Sequence, residues 1–547
     1  MEHENHPMAN RYLGGDVVVE ALAGLGVGAV FSVSGGPINA LYNACAVHGL
    51  ALVHTRHEAA ACFMAEAMAR TTGIPGVAAV TLGPGVANTI GPALVSAMAG
   101  TPLLILGGQA PSRTFERGAG MSWDPLPAMR GVVKWAARVL QPERIEEHLA
   151  IAWRKMWSGR PGPVFLEIPV DVLAAPTEPG RGVRYTRPTA GLAAADRERL
   201  VGAVAAARRP LVLLGDELFW APAANAAAVV ERLGAPFVTL RLARGVIDEH
   251  HPLWLGPGYV PANASLRRAL AEADTLLLLG HHFEFDLGFG DGVGPATIVQ
   301  VASDPELLGK NRAAEIAIAA SPAEALAAIE GVAAAGLDRA WVDGLIAEWG
   351  RERAAQAGDD AEGGLHPVAA VDAVVAAAPA ETVFVTSHGN VDFWADARLR
   401  LRTPGRYLRA GQAGALGAEV PYGVGARFAR PEAPVVVFVG DGGIGYHVAE
   451  LDTAARHDRP LVVVVLDDGK WGAIALPQRA AFGREVAMAL PRRDWALVAE
   501  ALGGVGFHAA TRAEIGEAVR AALASGRPAL VQVPVRAVLS PYMAYIS

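Results

Sequence analysis

Residues 435–445 read VVVFVGDGGIG, an apolar run that leads directly into a glycine-rich turn. The first five residues are apolar throughout, which is typical of a strand buried on both faces of a parallel sheet. The turn has the spacing Gly-x-Gly-x-x-Gly, and a helical pattern follows over His447–His457. This order of strand, glycine turn and helix predicts a doubly wound α/β unit.

The same alternation of apolar runs and alanine-rich helical patterns recurs along all 547 residues. Further buried strands are predicted at Val77–Leu82, Leu103–Leu106, Leu211–Leu214, Leu276–Leu279 and Leu461–Leu466. Segments 174–195 and 347–367 combine charge with glycine and proline, and we predict that both are linkers. The sequence therefore predicts three doubly wound α/β domains with parallel sheets, at 10–173, 196–346 and 367–540.

Composition narrows the class of protein. Hydrophobic residues make up 52% and charged residues 19% of the chain, which excludes a disordered polar protein. The net charge of −8 makes a nucleic-acid-binding surface unexpected. Two cysteines are too few for a disulfide framework or a cysteine zinc site, and we expect a cytoplasmic location. The start is polar and no run of 18 apolar residues occurs, so neither a signal peptide nor a membrane span is predicted.

The glycine turn at 440–445 has two interpretations. Because Asp467 and Asp468 end the next apolar run, the turn satisfies the pattern of a dinucleotide-binding unit, and so of an NAD-type oxidoreductase. However, Asp441 lies inside the turn, where its carboxylate would repel a pyrophosphate. A divalent cation between the carboxylate and the pyrophosphate turns this repulsion into attraction to a shared metal ion. Mg²⁺ is suited to this role because it prefers oxygen ligands. We therefore predict Mg²⁺ ligands at Asp441, Asp468 and the main-chain carbonyl of Lys470.

The spacing of the Gly-Asp-Gly turn at 440–442 and the acidic turn at Asp467-Asp468 resembles the diphosphate–Mg²⁺ motif of thiamine-diphosphate (ThDP) enzymes. The family usually carries Asn-Asn or Asn-Asp in the second turn. Leu416, in Gly-Ala-Leu-Gly, stands where the family often has the methionine that bends the cofactor. The resemblance implies cofactor contacts at Gly389, Asn390, Leu416, Gly440, Asp441, Gly442, Gly443, Asp468, Trp471, Gly472, Ala473 and Ile474.

A second group of motifs resembles the acetolactate synthase, pyruvate oxidase and benzaldehyde lyase branch of this family. The motifs are FSVSGGP at 31–37, RHEAAA at 56–61 and TLGPGVAN at 81–88. The resemblance implies that the Glu58 carboxyl hydrogen-bonds N1′ of the aminopyrimidine and promotes its imino tautomer, which removes the thiazolium C2 proton. For His57, a substrate contact and a supporting, packed imidazole both stay open. Further implied cofactor contacts are Gly35, Gly36, Gly85 and Asn88.

Residues that separate the reactions within the family favour the lyase branch. Gly120 and Met121 stand where acetolactate synthases carry Phe-Gln, and Gly36-Pro37 resembles the turn of 2-hydroxyacyl-CoA lyases. The segment 468–474 resembles benzaldehyde lyase. The resemblance implies a ThDP- and Mg²⁺-dependent C–C lyase and carboligase that acts next to a carbonyl through an enamine (Breslow) intermediate. Its small-molecule substrates would be 2-hydroxyacyl-CoA, 2-hydroxyketone, 2-oxo acid or aldehyde compounds.

Several alternatives stay open at this point. They are an acetolactate-synthase-like decarboxylating carboligase on 2-oxo acids, an NAD-type Rossmann oxidoreductase and a catalytically silent regulatory subunit. The segment 281–290 resembles lyase-type members and not the FAD-binding segment of acetolactate synthases, so FAD is not expected. Its paired His281 and His282 could contact a metal or pack at the surface or between domains. The resemblance also implies a homodimer or homotetramer.

Overall fold

The computed structural model describes residues 11–356, 358 and 364–541, and within them the strands form three six-stranded sheets. Every pairing between neighbouring strands of these sheets is parallel. The predicted fold class, three α/β domains with parallel sheets, is confirmed. The domain limits 10–173, 196–346 and 367–540 stay predictions.

The first sheet has the strand order β2-β1-β3-β4-β6-β5. Its strands are β1 (Ala29–Ser32), β2 (Ala51–His54), β3 (Gly76–Val80), β4 (Leu103–Gln109), β5 (Trp135–Arg138) and β6 (Val164–Pro169). The helices are α1 (Gly14–Gly24), α2 (Asn39–His48), α3 (Glu58–Thr72), α4 (Pro84–Ala87), α5 (Ile90–Ala99), α6 (Leu126–Arg130), α7 (Ile145–Trp157) and α8 (Val170–Leu173). The central strands β3 and β4 are buried along their whole length, as uniformly apolar runs predict.

The second sheet has the strand order β12-β11-β10-β7-β8-β9. Its strands are β7 (Pro210–Leu214), β8 (Phe237–Thr239), β9 (Trp254–Pro257), β10 (Thr275–Leu279), β11 (Thr297–Ala302) and β12 (Ile316–Ala319). The helices are α9 (Ala194–Ala206), α10 (Glu217–Trp220), α11 (Ala226–Leu233), α12 (Ala264–Glu272), α13 (Pro322–Ile329) and α14 (Arg339–Ala355). One continuous hydrophobic core joins these strands to the helices that cover them.

The third sheet has the strand order β14-β13-β15-β16-β18-β17. Its strands are β13 (Val383–Val385), β14 (Tyr407–Leu408), β15 (Val435–Gly440), β16 (Val462–Asp467), β17 (Val505–His508) and β18 (Ala529–Pro534). The helices are α15 (Pro367–Ala377), α16 (Asn390–Arg398), α17 (Glu419–Ala429), α18 (Asp441–His447), α19 (Glu450–Arg456), α20 (Gly472–Phe482), α21 (Trp495–Ala501) and α22 (Arg512–Ala524). Because the chain leaves β13 first for β14 and then returns to β15, a topological switch point lies between β13 and β15.

The contacts divide the chain into two units. Unit 1 contains residues up to Arg187 together with 420–431 and 449–459, and unit 2 contains the remainder. Within unit 1, residues of α17 pack closely on α3. The Tyr422 ring meets Phe63 edge to face at 5.8 Å, and a Cβ on Gly425 would clash with the backbone of Met64. Parts of the third sequence region thus belong to the same unit as the first sheet.

Two predicted boundaries are wrong. The helix after the glycine turn begins at Asp441 and not at His447, because tertiary packing overrides the low helix propensity of three glycines. The predicted linker 347–367 begins inside α14, whose buried Trp341, Leu345 and Trp349 at four-residue spacing continue the helix. Residues 357 and 359–363 of that segment lie outside the described residues, as do the polar residues 1–10. None of the described helices is both long and apolar enough to cross a membrane.

The paired histidines of the central domain are buried, so the surface alternative for them is wrong. The Nε2 atom of His281 lies 2.8 Å from a carboxylate oxygen of Glu284, and His282 is 3.7 Å from the other oxygen. The neighbouring imidazoles and the Arg241 guanidinium lower the pKa of Glu284 to about 2 despite its burial. Among the described residues no group of three or more His, Cys, Asp or Glu side chains is arranged to hold a metal ion. This pair therefore belongs to a buried ion-pair cluster.

A buried arginine joins the second and third sheets within unit 2, and we expect its removal to destabilise the protein strongly. The Arg244 guanidinium donates to both oxygens of Glu249, at 2.6 and 2.9 Å, and to Asp396 at 2.5 Å. Arg244→Met leaves both carboxylates buried without their cation and should lower the free energy of unfolding by about 3–5 kcal/mol. Urea denaturation followed by tryptophan fluorescence measures this change. The control is Arg402→Met, whose exposed pair with Asp248 contributes below about 1 kcal/mol, and equal effects of both variants would contradict the assignment.

Candidate cofactor site

A cavity of about 270 Å³ opens at the carboxyl ends of β13, β15 and β16 in unit 2. This is the topological switch point of the third sheet, where α/β sheets leave a crevice for ligands. All twelve cofactor contacts that the sequence predicts in this half of the chain line the cavity, as does Lys470. The other lining residues are Pro367, His388, Val391, Trp394, Gly414, Leu466 and Val535.

The two adjacent aspartates after β16 have different environments. Asp467 is buried, and its carboxylate accepts from the N–H of Gly469 at 3.1 Å and from Nε2 of Gln532 at 2.9 Å. Asp468 lines the cavity and accepts only from the N–H of Lys470, at 3.2 Å, among the bonds the structure shows. Asp467 therefore stabilises the turn, and Asp468 faces the cavity together with Asp441.

The electrostatics of Asp441 and Asp468 suit a cation. Burial, together with the nearby charges of Asp468 and Asp467, raises the pKa of Asp441 to about 7. Burial raises the pKa of Asp468 to about 6. Two carboxylates held close in a partly buried cavity repel each other, and a divalent cation between them removes the repulsion. Oxygen donors are the ligands that Mg²⁺ prefers, so this donor set fits the predicted metal.

The main chain at Lys470 is held in a defined turn. Its carbonyl accepts from the N–H of Gly472 at 2.9 Å, which leaves one lone pair for another partner. The segment after α20 folds back and pairs with this turn. Trp471 N–H donates to Met488 at 2.9 Å and Leu490 N–H donates to Gly469 at 2.9 Å. The Lys470 ammonium pairs with Glu485 at 3.1 Å. The side chain is therefore held by this ion pair, while the main-chain carbonyl can still accept a bond from a metal ion.

Two glycines make room for the cavity's own side chains. A Cβ on Gly442 would clash with the indole ring of Trp471, and a Cβ on Gly472 would clash with the Asp468 carboxylate. The indole therefore packs directly on the glycine turn. Close approach, and not left-handed backbone, explains the glycine at both positions.

We expect Gly472→Ala to disturb the metal site without disturbing the fold. The added methyl group must push the Asp468 carboxylate away, although alanine is the better helix former at this first position of α20. Mg²⁺ affinity in the presence of ThDP should fall about 10–100-fold in a calorimetric titration. Gly445→Ala is the control, because its Cβ would meet only Trp495, at 3.9 Å. Equal Mg²⁺ affinity of the Gly472 variant and wild type would contradict this geometry.

The loop after β13 holds two of the predicted cofactor contacts, Gly389 and Asn390. Gly389 has φ +100°, which L side chains rarely adopt, and it precedes the first residue of α16. The Asn390 side chain is already engaged, since Nδ2 donates to the Val538 carbonyl at 2.6 Å and Oδ1 accepts from Ser540 N–H at 2.8 Å. Leu416 lies beside Gly389 and lines the same part of the cavity.

The Glu58 group lies in unit 1, at the end of the first sheet. Glu58 is the first residue of α3, and Asn88 Nδ2 donates to its Oε2 at 2.9 Å. The Nδ1 atom of His57 caps the same helix by accepting from Ala59 N–H at 3.0 Å. Asn88 therefore orients the carboxyl group, while one nitrogen of the His57 ring already accepts a hydrogen bond from the backbone.

Gly85 lies beside this carboxyl group. A Cβ on Gly85 would lie 3.7 Å from Glu58 Oε1 and 2.9 Å from Thr81 Cγ2. A Cβ on Gly35 would clash with Thr81, whereas Gly36 faces open space. Gly35 follows β1 and Gly85 follows β3, and the order β2-β1-β3 places a switch point between those strands. The four predicted contacts of unit 1 therefore gather at the carboxyl edge of one sheet.

Sequence reasoning missed two ionisable groups of unit 2, one that lines the cavity and one that lies beneath its glycine turn. His388, directly before Gly389, lines the cavity, and the predicted site omits it. Glu419 is 2% exposed, lies against the position of a Cβ on Gly443, and burial raises its pKa to about 8. The position of His388 in a strand-to-helix loop was the one signal available for it. Burial beneath a turn, as for Glu419, leaves no pattern in the sequence.

Comparisons with known proteins cover both the Glu58 group and the cavity with Asp441 and Asp468. Three family models match successive parts of the chain. The N-terminal thiamine pyrophosphate (a synonym of ThDP) binding domain matches residues 13–126, the central domain of the same enzymes matches 197–329, and their C-terminal binding domain matches 387–533. The Glu58 group lies in the first match and the cavity-lining Asp441 and Asp468 lie in the third.

Curated relatives match over nearly the full chain. A probable acetolactate synthase of Mycobacterium bovis is 30% identical over 528 residues, which is 95% of either chain. Human 2-hydroxyacyl-CoA lyase 2 is 32% identical over 90% of this chain and 84% of its own. A probable 2-ketoarginine decarboxylase of Pseudomonas aeruginosa is 33% identical over 89% of this chain and 88% of its own. With both ThDP binding domains and the central domain between them, this chain belongs to the thiamine pyrophosphate-dependent enzymes.

Proposed function

We propose that this enzyme is a ThDP- and Mg²⁺-dependent C–C lyase and carboligase that acts on 2-hydroxyacyl-CoA, 2-hydroxyketone or aldehyde substrates. The observation that carries the proposal is the pair Asp441 and Asp468 in a glycine-walled cavity, because two clustered carboxylates fit a metal–diphosphate group. The relative named 2-hydroxyacyl-CoA lyase 2 and the lyase-type segments at 36–37 and 468–474 support the reaction type.

In this proposal the cavity residues of unit 2 hold the diphosphate and the metal. Asp441, Asp468 and the Lys470 carbonyl would hold the metal, and Leu416 would support the cofactor. The backbone around Gly389 and Gly440 approaches the diphosphate, since their lack of side chains leaves space there. Asn390 contributes through its main chain, because its amide is engaged by Val538 and Ser540.

Bound ThDP supplies a thiazolium carbon that stabilises negative charge next to a carbonyl. Glu58 would exchange a proton with the aminopyrimidine ring, and Asn88 fixes the direction of its carboxyl group. Gly35, Gly36 and Gly85 leave room for that ring. We assign His57 a supporting position, because its Nδ1 already caps α3.

We also propose a homodimer or homotetramer in the cytoplasm, without FAD. Phe482 at the end of α20 and Val486 after it are 75% and 54% exposed, and contact with a second subunit would remove these apolar side chains from water. Multi-angle light scattering of the holoenzyme measures the assembly, and a monomer would contradict this part of the proposal.

The test is a substrate comparison with purified protein loaded with ThDP and Mg²⁺. The proposal predicts aldehyde release from a 2-hydroxyacyl-CoA or from benzoin, and little CO₂ from pyruvate. Rapid CO₂ release with acetolactate formation would instead support the second candidate, a decarboxylating carboligase, which the relative named probable acetolactate synthase favours. No ThDP-dependent turnover of any of the three compounds would overturn both reactions.

A further inference from the structure

We propose that His388 is a substrate-contacting residue that accepts the proton of the 2-hydroxyl group when a 2-hydroxy carbonyl compound is cleaved. The inference rests on the proposed function and adds a residue and a substrate group to it. None of the motifs in the sequence assigns His388 a role.

The first support is the position of the imidazole. His388 lines the same cavity as Leu416 and Gly414, in the loop between β13 and α16. Atoms of its ring, Nε2 among them, lie 3.6–3.8 Å from where a Cβ of Gly414 would be. The imidazole is therefore at the end of the cavity where Leu416 stands.

The second support is hydrogen bonding. Nδ1 of His388 is buried, and within the described part of the chain it has no hydrogen-bond partner. Buried polar atoms in native proteins are nearly always bonded, and an unbonded one is costly to keep. A ligand in the cavity that carries a hydroxyl or carbonyl oxygen is a chemically suitable partner for an imidazole.

The third support is the protonation state and the fixed ring. Burial lowers the pKa of His388, and the charged groups that face it are Asp392, Arg409 and Asp286. The Asp392 carboxylate already has other partners, since it accepts a hydrogen bond from Thr386 at 2.6 Å and pairs with Arg409 at 2.7 Å. The Phe393 ring meets the imidazole edge to face at 5.6 Å and holds its orientation. At neutral pH the ring is an uncharged proton acceptor in a set position.

The proton balance of the step is simple. In cleavage, the hydroxyl proton passes to the neutral imidazole, which becomes an imidazolium ion. The hydroxyl oxygen becomes the carbonyl oxygen of the released aldehyde as the C–C bond breaks. The electron pair of that bond stays with the former carbonyl carbon of the substrate, where the thiazolium group of ThDP would stabilise it. In carboligation the imidazolium returns the proton to the new hydroxyl group.

The experiment compares His388→Gln and His388→Leu with wild type and with the control His250→Gln, an exposed histidine of the central domain. With benzoin and with a 2-hydroxyacyl-CoA, we expect kcat/KM of both His388 variants to fall about 100-fold or more. In wild type kcat/KM should fall at acidic pH as the imidazole is protonated, and that acid limb should vanish in both variants. The dissociation constant of ThDP with Mg²⁺ should stay within about twofold.

A binding measurement gives a readout apart from turnover. To prevent turnover, binding is measured with Glu58→Gln holoenzyme, which should bind benzoin about tenfold more tightly than deoxybenzoin, which lacks the hydroxyl group. The double variant Glu58→Gln/His388→Leu should bind both equally. Full activity of both His388 variants, or an unchanged preference for the hydroxyl compound, overturns the inference while leaving the proposed function in place. If wild type cleaves neither benzoin nor the 2-hydroxyacyl-CoA, the proposed function fails, and the inference fails with it.

Discussion

Replacing Glu58 by glutamine is expected to lower kcat by about 10²–10⁴-fold while ThDP and Mg²⁺ still bind. The amide keeps the size of the side chain and its bond partner Asn88 nearby, but it cannot exchange a proton with the aminopyrimidine ring. The measurement is steady-state turnover of the substrate that wild type cleaves, together with calorimetric titration of ThDP.

The control for this variant tests whether Glu58 only stabilises its helix. Glu514→Gln also replaces an acid in the first turn of a helix, where Glu514 forms a capping box with Thr511. The amide oxygen can still accept the capping bonds, so this variant should stay close to wild type in stability and turnover. Wild-type activity of Glu58→Gln would remove Glu58 from the mechanism.

Asp441→Ala is expected to weaken Mg²⁺ affinity more than about 100-fold and, with it, Mg²⁺-dependent binding of ThDP. Asp441 is one of only two side chains proposed as metal ligands, and loss of a direct ligand costs more than loss of an outer contact. The measurement is a calorimetric titration of Mg²⁺ at saturating ThDP. Removing the charge also relieves the repulsion from Asp468, so the apoprotein should not be less stable than wild type.

The neighbouring aspartate provides a matched control. Asp467→Asn changes the adjacent acid of the same turn, but Asp467 bonds to Gly469 and Gln532 and does not line the cavity. We expect a loss of about 1 kcal/mol of stability and Mg²⁺ affinity within about threefold of wild type. If Asp467→Asn weakens Mg²⁺ as much as Asp441→Ala, the division of roles within the acidic turn is wrong.

The sheets could be predicted from the sequence because buried parallel strands are apolar at every position. Runs such as VVVFV at 435–439 and LVVVVL at 461–466 became β15 and β16 with shifts of one residue at their ends. Helix limits were harder to predict. In α18 three glycines lower the helix propensity of the sequence, although packing keeps the segment helical. In α14 the charged residues after Trp349 resemble a linker, but the helix continues to Ala355.

The cavity could be predicted because its residues occur in short motifs at strand ends, which the topology brings to one sheet edge. Sequence reasoning selected Asp468 and not Asp467 as the metal ligand, but it could not show that Gln532 reaches Asp467 from β18. It could not show that Asn390 is engaged by residues 538 and 540, about 150 positions away. Nor could it identify His388, whose position in the cavity depends on Phe393 and on the loop at Gly414. Contacts of this kind depend on three-dimensional packing and leave no local pattern.

The most direct test of the account measures the activation of bound ThDP and its dependence on Glu58 and on Asp441. In deuterium oxide, the rate at which the C2 hydrogen of bound ThDP exchanges can be followed by acid quench and proton NMR, without any substrate. The account predicts fast exchange in wild type, exchange slower by about 10²–10⁴-fold in Glu58→Gln with ThDP still bound, and no Mg²⁺-dependent ThDP binding in Asp441→Ala. Equal exchange rates in wild type and Glu58→Gln would contradict the account. So would a ThDP affinity that is the same with and without Mg²⁺ and the same in wild type and Asp441→Ala.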